Sequence, residues 1–319
     1  MESTKASQRL AKRRRRRFAV ITVALLAAAG FIAVISVARA RDNGAQRQRA
    51  AHHGTSATGR PRPAKSSQRA TERTAVTAKE ANRKLTAALA RLLKGHTGDL
   101  AVGLVDRTTG LRATYGGGHR FHTASIVKAD ILASLLLRHQ DAGTPLSESE
   151  RELATEMIEQ SNNDAATDLW NDVGGADGIA AANVRLGLRH TTPGQGGYWG
   201  LTSTTVVDQL ALLADLTSAR SPLNAASRSY ELRLMRHVES DQAWGVSAAA
   251  TPGTCAAVKN GWLPDPRLWV INSIGVIRHD GRVLLVAVLS DDQPTEGCGI
   301  AQVRTAAAAA ADAAAAAHS

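Results

Sequence analysis

The sequence predicts an α+β fold with a five-stranded antiparallel sheet for residues 77–319 of the 319-residue chain. Its helical and strand-like segments come in blocks: one helix, two strands, a group of helices, three strands and one helix. A doubly wound parallel sheet would instead need strands and helices that alternate. Short turn sequences join strands that are neighbours in the chain, which is typical of antiparallel hairpins.

The first block holds one helix and two strands. Thr77 and Glu80 have the spacing of a capping box, and four leucines follow at helical spacing, which predicts a helix over 77–93. Two segments rich in apolar residues, separated by a short turn that ends in glycine, predict strands at 99–106 and 111–115.

An inserted helical region and a second group of strands follow. Apolar residues at helical spacing predict helices at 126–138, 147–160, 164–173, 204–217 and 225–237, within a helical subdomain of about 124–250. Apolar, β-branched segments predict strands at 255–261, 268–277 and 283–289. The alanine-rich end predicts a closing helix over 300–318.

The net charge of +11 comes from the N-terminal quarter of the chain. Residues 1–84 hold 20 Lys and Arg against 4 Asp and Glu, which leaves 19 basic and 24 acidic residues for the rest. A domain that binds nucleic acid carries its basic charge on the folded surface. Because the folded region is mildly acidic, we expect no nucleic-acid partner.

Residues 1–17 form a basic head, and residues 18–38 are an apolar run without charge. A 21-residue helix is long enough to cross a bilayer, and the basic head places the N-terminus in the cytoplasm. We expect a single-pass anchor with residues 77–319 outside the cytoplasm. The alternative is an export signal cleaved after Ala40, because Arg15-Arg16-Arg17-Phe18 resembles a twin-arginine signal. Cleavage would give a secreted protein.

Residues 39–76 are predicted to be a disordered basic linker. Between residues 41 and 75 there is no Val, Ile, Leu, Met, Phe, Tyr or Trp, so this segment cannot bury apolar surface. It would hold the folded region away from the membrane.

The chain has two cysteines, Cys255 and Cys298, and export permits a disulfide between them. The sequence leaves open whether they pair. Neither has the spacing of a metal ligand, and His119 and His122 lack the glutamate of a zinc-binding H-E-x-x-H motif. We expect no metal or other cofactor, and surface or supporting roles for the two histidines.

Three short motifs carry the candidate chemistry. Ser125 and Lys128 are three residues apart at the start of a predicted helix, so the lysine amine can reach the serine hydroxyl. Ser161-Asn162-Asn163 follows a helix, and Lys259-Asn260-Gly261 lies inside an apolar strand, where a lysine is unusual. Each motif is common alone, but their order is informative.

In these motifs the chain resembles the class A β-lactamases and penicillin-binding proteins, whose signature is S-x-x-K, S-D-N and K-T-G. The resemblance implies the fold of that superfamily for residues 77–318. It makes Ser125 the nucleophile, Lys128 its base and Ser161 a proton shuttle. It assigns substrate binding to Asn163, Lys259, Asn260, Gly261 and Trp262, with the backbone N–H groups of Ser125 and Trp262 forming an oxyanion hole.

Three departures from the family pattern bear on activity. Asn162 replaces an aspartate, a change that preserves size but removes a charge. Asn260 replaces the hydroxyl residue with which family members bind a substrate carboxylate, which puts recognition of that group in doubt. Class A enzymes use a glutamate between the second and third motifs to activate the deacylating water, but residues 178–207 contain no Asp or Glu. Instead a glycine-rich loop carries Tyr198 and Trp199, which either pack on the core or line the cleft.

The favoured hypothesis is an exported, monomeric serine hydrolase that attacks an amide or ester carbonyl. Its substrate would be a small molecule or a peptide, such as a β-lactam or cell-wall peptide. It would be D,D-peptidase-like and a poor β-lactamase. The alternatives are a cell-wall peptide-binding or scaffold module with weak catalysis, and a true class A-like β-lactamase.

Overall fold

The computed structural model describes residues 79–80, 82–84, 86–88, 90–91, 98–265 and 268–316. The predicted head, membrane anchor and linker at 1–76 lie outside these residues. Within the described ranges, no helix is both long enough and apolar enough to cross a membrane. The described residues between 79 and 91 are helical, and Asn82 accepts a hydrogen bond from the backbone of Thr114 at 3.1 Å.

Five antiparallel strands form the main sheet, in the order β2-β1-β7-β6-β5. They are β1 (Leu100–Asp106), β2 (Arg112–Tyr115), β5 (Ala257–Asp265), β6 (Leu268–His279) and β7 (Arg282–Gln293). Two short strands, β3 (Phe121–His122) and β4 (Ser203–Thr204), pair separately. The α+β class and the five-stranded antiparallel sheet predicted from sequence are confirmed.

Helices cover both faces of this sheet. Between β3 and β5 lie α1 (Val127–Ala142), α2 (Glu148–Glu159), α3 (Asn163–Asp172), α4 (Gly175–Arg185), α5 (Val206–Thr217) and α6 (Ala225–Met235), and the chain closes with α7 (Glu296–Ala316). Alternate side chains of β1 divide between two cores: Ala101 and Val105 pack with α1 to α6, whereas Val102 and Leu104 pack with α7. Because successive side chains point to opposite faces and both faces are covered, β1 is buried along its whole length.

The alanines of α7 are its packing surface. Ala306, Ala307, Ala310, Ala311 and Ala314 are all buried against the sheet. Small side chains let the axis of α7 lie close to the sheet. Contact with the sheet therefore stabilises this helix, in addition to the high helix propensity of alanine. The helix begins at Glu296, earlier than the predicted residue 300.

One helix was not predicted. α4 begins at Gly175, and Gly174 is its N-cap residue. Both glycines have positive φ (63° and 94°), and Gly174 makes no side-chain hydrogen bond to the helix. Glycines interrupt the helical pattern in sequence and hide the start of the helix. Burial of Ile179 in the helical core stabilises the helix despite them.

The disulfide left open by the sequence is not formed, because Cys255 and Cys298 are both free and exposed. Cys255 precedes β5 at the end where Ala257 lies opposite Val276, whereas Cys298 follows the end of β7 that lies opposite Trp269. These sheet ends are separated by several residues of β6, on the order of 20 Å at ~3.3 Å per residue, whereas bonded cysteines have Cα atoms within about 7 Å.

Two buried carboxyl groups face each other in the helical region without full hydrogen bonding. Asp130 of α1 and Glu231 of α6 are 1% and 0% exposed. Among the described residues, neither Oδ2 of Asp130 nor either oxygen of Glu231 has a hydrogen-bond partner. Burial raises the pKa of Asp130 to about 7, and burial together with the neighbouring Asp130 raises the pKa of Glu231 well above its usual range.

These shifted carboxyl groups predict a pH-dependent stability. A raised pKa means that, over a range of pH, the folded protein keeps a proton that the unfolded chain has released. The free energy of unfolding therefore decreases as pH rises from the pKa of the unfolded chain to the higher pKa of the folded protein. Glu231→Gln removes one ionisable group. We expect the stability of this variant, relative to the wild type, to improve by about 1 kcal/mol or more between pH 5 and pH 8, measured by urea denaturation.

The matched control is Glu152→Gln, which changes an exposed glutamate on α2. Its stability relative to the wild type should not change with pH over the same range. A flat pH profile for Glu231→Gln would contradict the prediction, because it would mean that Glu231 has an ordinary pKa in the folded protein.

Candidate active site

Ser125 lies in a 3-10 turn, Ala124–Ile126, that leads directly into α1. Lys128 follows one turn later, and its Nζ lies 3.0 Å from the Ser125 hydroxyl. The hydroxyl is partly exposed while Lys128 is completely buried. The three-residue spacing therefore places a buried amine beneath an accessible hydroxyl.

The backbone around Ser125 is held in an uncommon conformation. Ala124 has φ +47°, a left-handed value that a residue with a side chain rarely adopts. Asn272 on β6 donates hydrogen bonds to the carbonyls of His122 and Thr123, at 2.8 and 3.0 Å, and accepts one from the backbone of Ser290. A fully bonded, buried amide in the sheet thus holds the segment that leads to the serine.

Gly261 on β5 passes against the same turn. A Cβ atom built at this position would lie 2.6 Å from the backbone nitrogen of Ser125 and 2.8 Å from the Thr123 carbonyl. Only glycine allows so close an approach of the strand to the turn. The backbone of β5 and the backbone N–H of Ser125 therefore border one narrow space.

Ser161 and Asn163 reach Lys128 from the loop between α2 and α3. The Nζ of Lys128 donates to the Ser161 carbonyl at 2.7 Å, lies 3.0 Å from the Ser161 hydroxyl, and donates to Oδ1 of Asn163 at 2.8 Å. Ser161 has φ +53°. Asn162 turns away, because its side chain caps α3 by accepting from the backbone of Asp164 and Ala165.

Lys259 approaches the Ser161 hydroxyl from the opposite side. It lies on the edge strand β5, is 1% exposed, and its Nζ donates to Oγ of Ser161 at 3.0 Å. The hydroxyl of Ser161 therefore lies between two buried lysine amines. This arrangement joins a sheet residue, a helix residue and a loop residue into one hydrogen-bonded group.

Burial changes the proton affinity of both amines. Burial, and next the charge of Lys259, lower the pKa of Lys128 well below its usual range. Burial lowers the pKa of Lys259 to about 7. Removing a cation from water favours its neutral form, and a second cation nearby acts in the same direction. A neutral Lys128 can accept the proton of Ser125.

The resemblance assigns substrate binding to Asn260, and the structure shows that its NH₂ group is bonded to protein. Its side chain is 2% exposed and donates to the carbonyls of Gln242 and Trp244, at 2.6 and 2.9 Å. Gln242 in turn donates to the carbonyl of Gln160 at 3.0 Å, next to Ser161. The amide of Asn260 thus ties β5 to the segment that supports the Ser161 loop, and its NH₂ group is already occupied by protein.

The aromatic loop contributes one side chain to the site. The ring of Trp199 lies over Lys128 with its centroid 4.9 Å from Nζ, and its indole N–H donates to the Thr167 hydroxyl. Tyr198 is 58% exposed. Trp199 therefore combines the two outcomes that the sequence left open, because it packs against the helical core and also lies beside Lys128 in the cleft. Tyr198 does not pack in the core.

Trp262 follows Gly261 on β5 and is half-buried. Its ring packs at a tilt against Trp244, with 6.0 Å between centroids.

Within the described residues, the hydrogen bonds that join Ser125, Lys128, Ser161, Asn163 and Lys259 involve no carboxylate.

Sequence reasoning missed one residue that shapes this site, Asn272, and left the position of Trp199 open. The signal for Asn272 was present as a polar residue in the apolar strand Leu268–His279, a position where an amide needs several buried partners. The contact of Trp199 with Lys128 depends on how a long glycine-rich loop folds, which has no local sequence signal.

Comparisons with known proteins identify the family and the fold of the chain. Residues 140–318, more than half of the chain, match the family Beta-lactamase2, the "Beta-lactamase enzyme family". The chain is 29% identical over 196 residues to the Mycobacterium tuberculosis protein named "Putative lipoprotein LppW". That match covers 59% of this chain and 62% of LppW, so the chain spans less than two thirds of this relative.

Solved structures share the fold at low sequence identity. A β-lactamase from Burkholderia vietnamiensis is 22% identical, with a TM-score of 0.62 over 72% of this chain and 95% of its own. PBP-A is 19% identical, with a TM-score of 0.63 and the same coverage. The fold of the β-lactamase and penicillin-binding superfamily expected from the motifs is confirmed. The family match over residues 140–318, together with this fold, shows that the chain belongs to the Beta-lactamase enzyme family.

Proposed function

We propose that this protein is a serine hydrolase that forms an acyl-enzyme at Ser125 with an amide or ester substrate. One observation carries the proposal: the Ser125 hydroxyl lies 3.0 Å from the amine of Lys128, whose pKa burial and Lys259 lower well below the usual value for lysine. A neutral amine at hydrogen-bond distance is the base that a serine nucleophile needs.

The first chemical step transfers the Ser125 proton to Nζ of Lys128 as Oγ attacks the carbonyl carbon. The carbonyl electron pair moves to oxygen, where the backbone N–H groups of Ser125 and Trp262 would stabilise the negative charge. Collapse of this intermediate re-forms the carbonyl and breaks the bond between the carbonyl carbon and the leaving group. The leaving atom takes a proton from Ser161, whose hydroxyl regains one from Lys128 across 3.0 Å.

The substrate side of the site favours an anionic, extended ligand. Lys259 supplies positive charge beside Ser161 when protonated, and β5 is an edge strand whose free backbone groups can pair with a peptide. A D,D-peptidase-like action on cell-wall peptide fits both features. A variant of PBP-A has been solved as an acyl-enzyme complex with penicillin G, which supports the same chemistry here.

An extracytoplasmic location is part of the proposal. The apolar run at 18–38 would anchor the chain in the membrane, with 39–76 as the linker, and cleavage after Ala40 would instead release it. The name of LppW describes a lipoprotein, which supports a place at the membrane.

A binding module for cell-wall peptide is the second candidate. It is favoured by the occupied amide of Asn260 and by the absence of Asp and Glu from residues 178–207, the part of the chain where class A enzymes carry their deacylating glutamate. Such a module would keep the cleft and bind peptide without forming a covalent bond.

Penicillin labelling separates these two functions. Incubation of the full chain with penicillin G should add the mass of one intact penicillin, located on the peptide that contains Ser125. Ser125→Ala should remove the adduct, while Ser134→Ala, which changes a buried serine elsewhere on α1, should keep it. A folded protein that gives no adduct at saturating penicillin would leave the binding module as the function.

The acyl-enzyme should be long-lived. Without a carboxylate to activate water, deacylation loses the contribution of general-base catalysis, about 10²- to 10⁴-fold in rate. We expect the penicillin adduct to persist while free penicillin is removed, and a chromogenic cephalosporin to be hydrolysed slowly. Rapid turnover that Ser125→Ala abolishes would show instead that the protein is a true β-lactamase.

The rate of acylation should fall at alkaline pH. The pKa of Lys259 is about 7, so its positive charge is present below this pH and lost as pH rises through it. An anionic penicillin then loses its attraction to the site. Acylation measured by mass spectrometry from pH 6 to 9 should decrease above pH 7 in the wild type.

Lys259→Arg provides the control, because arginine stays protonated throughout this range. This variant should lose the alkaline decrease even where its overall rate is lower. If both proteins show the same decrease, the charge of Lys259 does not govern acylation.

A further inference from the structure

Three metal-ligating side chains converge at one corner of the sheet, apart from the site of Ser125. Asp99 precedes β1, Asp291 lies near the end of β7, and His119 belongs to the connection between β2 and β3. Their ligand atoms all lie within 4.8 Å of one another. We propose that Asp99, His119 and Asp291 bind a divalent transition-metal ion such as Zn²⁺.

The distances between the ligand atoms fit such an ion. Nε2 of His119 lies 3.6 Å from Oδ2 of Asp99 and 3.6 Å from Oδ2 of Asp291. Both distances are too long for hydrogen bonds. Ligands about 2.1 Å from a tetrahedral zinc ion are separated by about 3.4 Å. The distance from the histidine nitrogen to each carboxylate oxygen is therefore close to the distance between two ligands of one metal ion.

Separate contacts bring the three residues to one place. Asp99 and Asp291 exchange two backbone hydrogen bonds, both 3.2 Å, so the two residues lie side by side. The ring of His119 packs on Phe121 with 4.3 Å between centroids, and its backbone N–H donates to Gly116. The fold therefore brings the three residues together before any ion binds, which lowers the entropic cost of binding.

Among the described residues, the ion-pair partner of these two carboxylates is His119 of the same cluster, and one carboxylate oxygen lacks a hydrogen bond. Oδ1 of Asp291 is buried and has no hydrogen-bond partner among the described residues. Asp292 adds a third acidic residue next to the pair. A bound cation would offset this charge, and a water molecule would complete the coordination at the exposed side. The mixture of imidazole and carboxylate favours zinc over calcium or magnesium, which prefer oxygen ligands alone.

The site has a structural consequence for the nucleophile. His119 lies on the connection that continues through β3 to Ser125, and Asp291 follows Ser290, whose backbone N–H donates to Asn272. Zinc held between them would fasten this connection to the sheet. Binding should therefore stabilise the folded protein, by an amount that increases with the logarithm of the zinc concentration above Kd.

Isothermal titration of the full chain with zinc chloride tests the proposal. His52→Ala and His53→Ala are introduced into every version, because this pair near the N-terminus could bind zinc by itself. The parent should bind one zinc ion at the site, and zinc should raise its Tm relative to EDTA. His119→Ala and Asp291→Asn should each weaken binding by about tenfold or more and remove the rise in Tm.

Asp292→Asn is the matched control. It removes a neighbouring charge without removing a ligand, so its affinity should stay within about threefold of the parent. Melting of each variant in EDTA shows whether it is folded before zinc is added. The proposal is overturned if the parent binds no zinc, or if His119→Ala and Asp291→Asn bind it as the parent does.

Discussion

The candidate site depends on one constraint: two lysine side chains are buried around a single hydroxyl group. Lys128 and Lys259 lose the hydration of their charges, and each finds a partner in Ser161. The energetic cost of burying a cation appears as a lowered proton affinity, which is the property that a base beside Ser125 requires. The sheet, the helical region and the loop at residues 160–163 must all pack correctly to keep water from these amines.

The replacements in the family motifs are explained by their surroundings. Asn162 caps α3, a task that an aspartate performs equally well, so this change preserves the loop while removing one negative charge near the lysines. Asn260 has both donor hydrogens engaged by Gln242 and Trp244. These hydrogens belong to the framework, so Lys259 is the residue proposed to attract an anionic substrate.

Local patterns predicted the five strands of the main sheet, most helices and the pairing of Ser125 with Lys128, because these depend on residues close in sequence. The two-residue strands β3 and β4 were not predicted. The convergence of Ser161 and Lys259 came from the resemblance, since their contact joins residues 98 positions apart. The role of Asn272 and the position of Trp199 could not be predicted, because each depends on a partner brought near only by the complete fold. The distance in space between the two cysteines likewise follows from the order of the strands in the sheet, which cannot be read from their spacing in the sequence.

The left-handed backbone at Ala124 and Ser161 has a consequence for how the protein loses activity. Both conformations persist only while neighbouring elements oppose their relaxation. A local opening of the helical region would release Ser161, admit water to Lys128 and restore the ordinary proton affinity of that amine, although the sheet and α7 were still intact. The proposed chemistry would therefore depend on a sub-global unfolding equilibrium, and mild denaturant would release Ser161 before the sheet is lost.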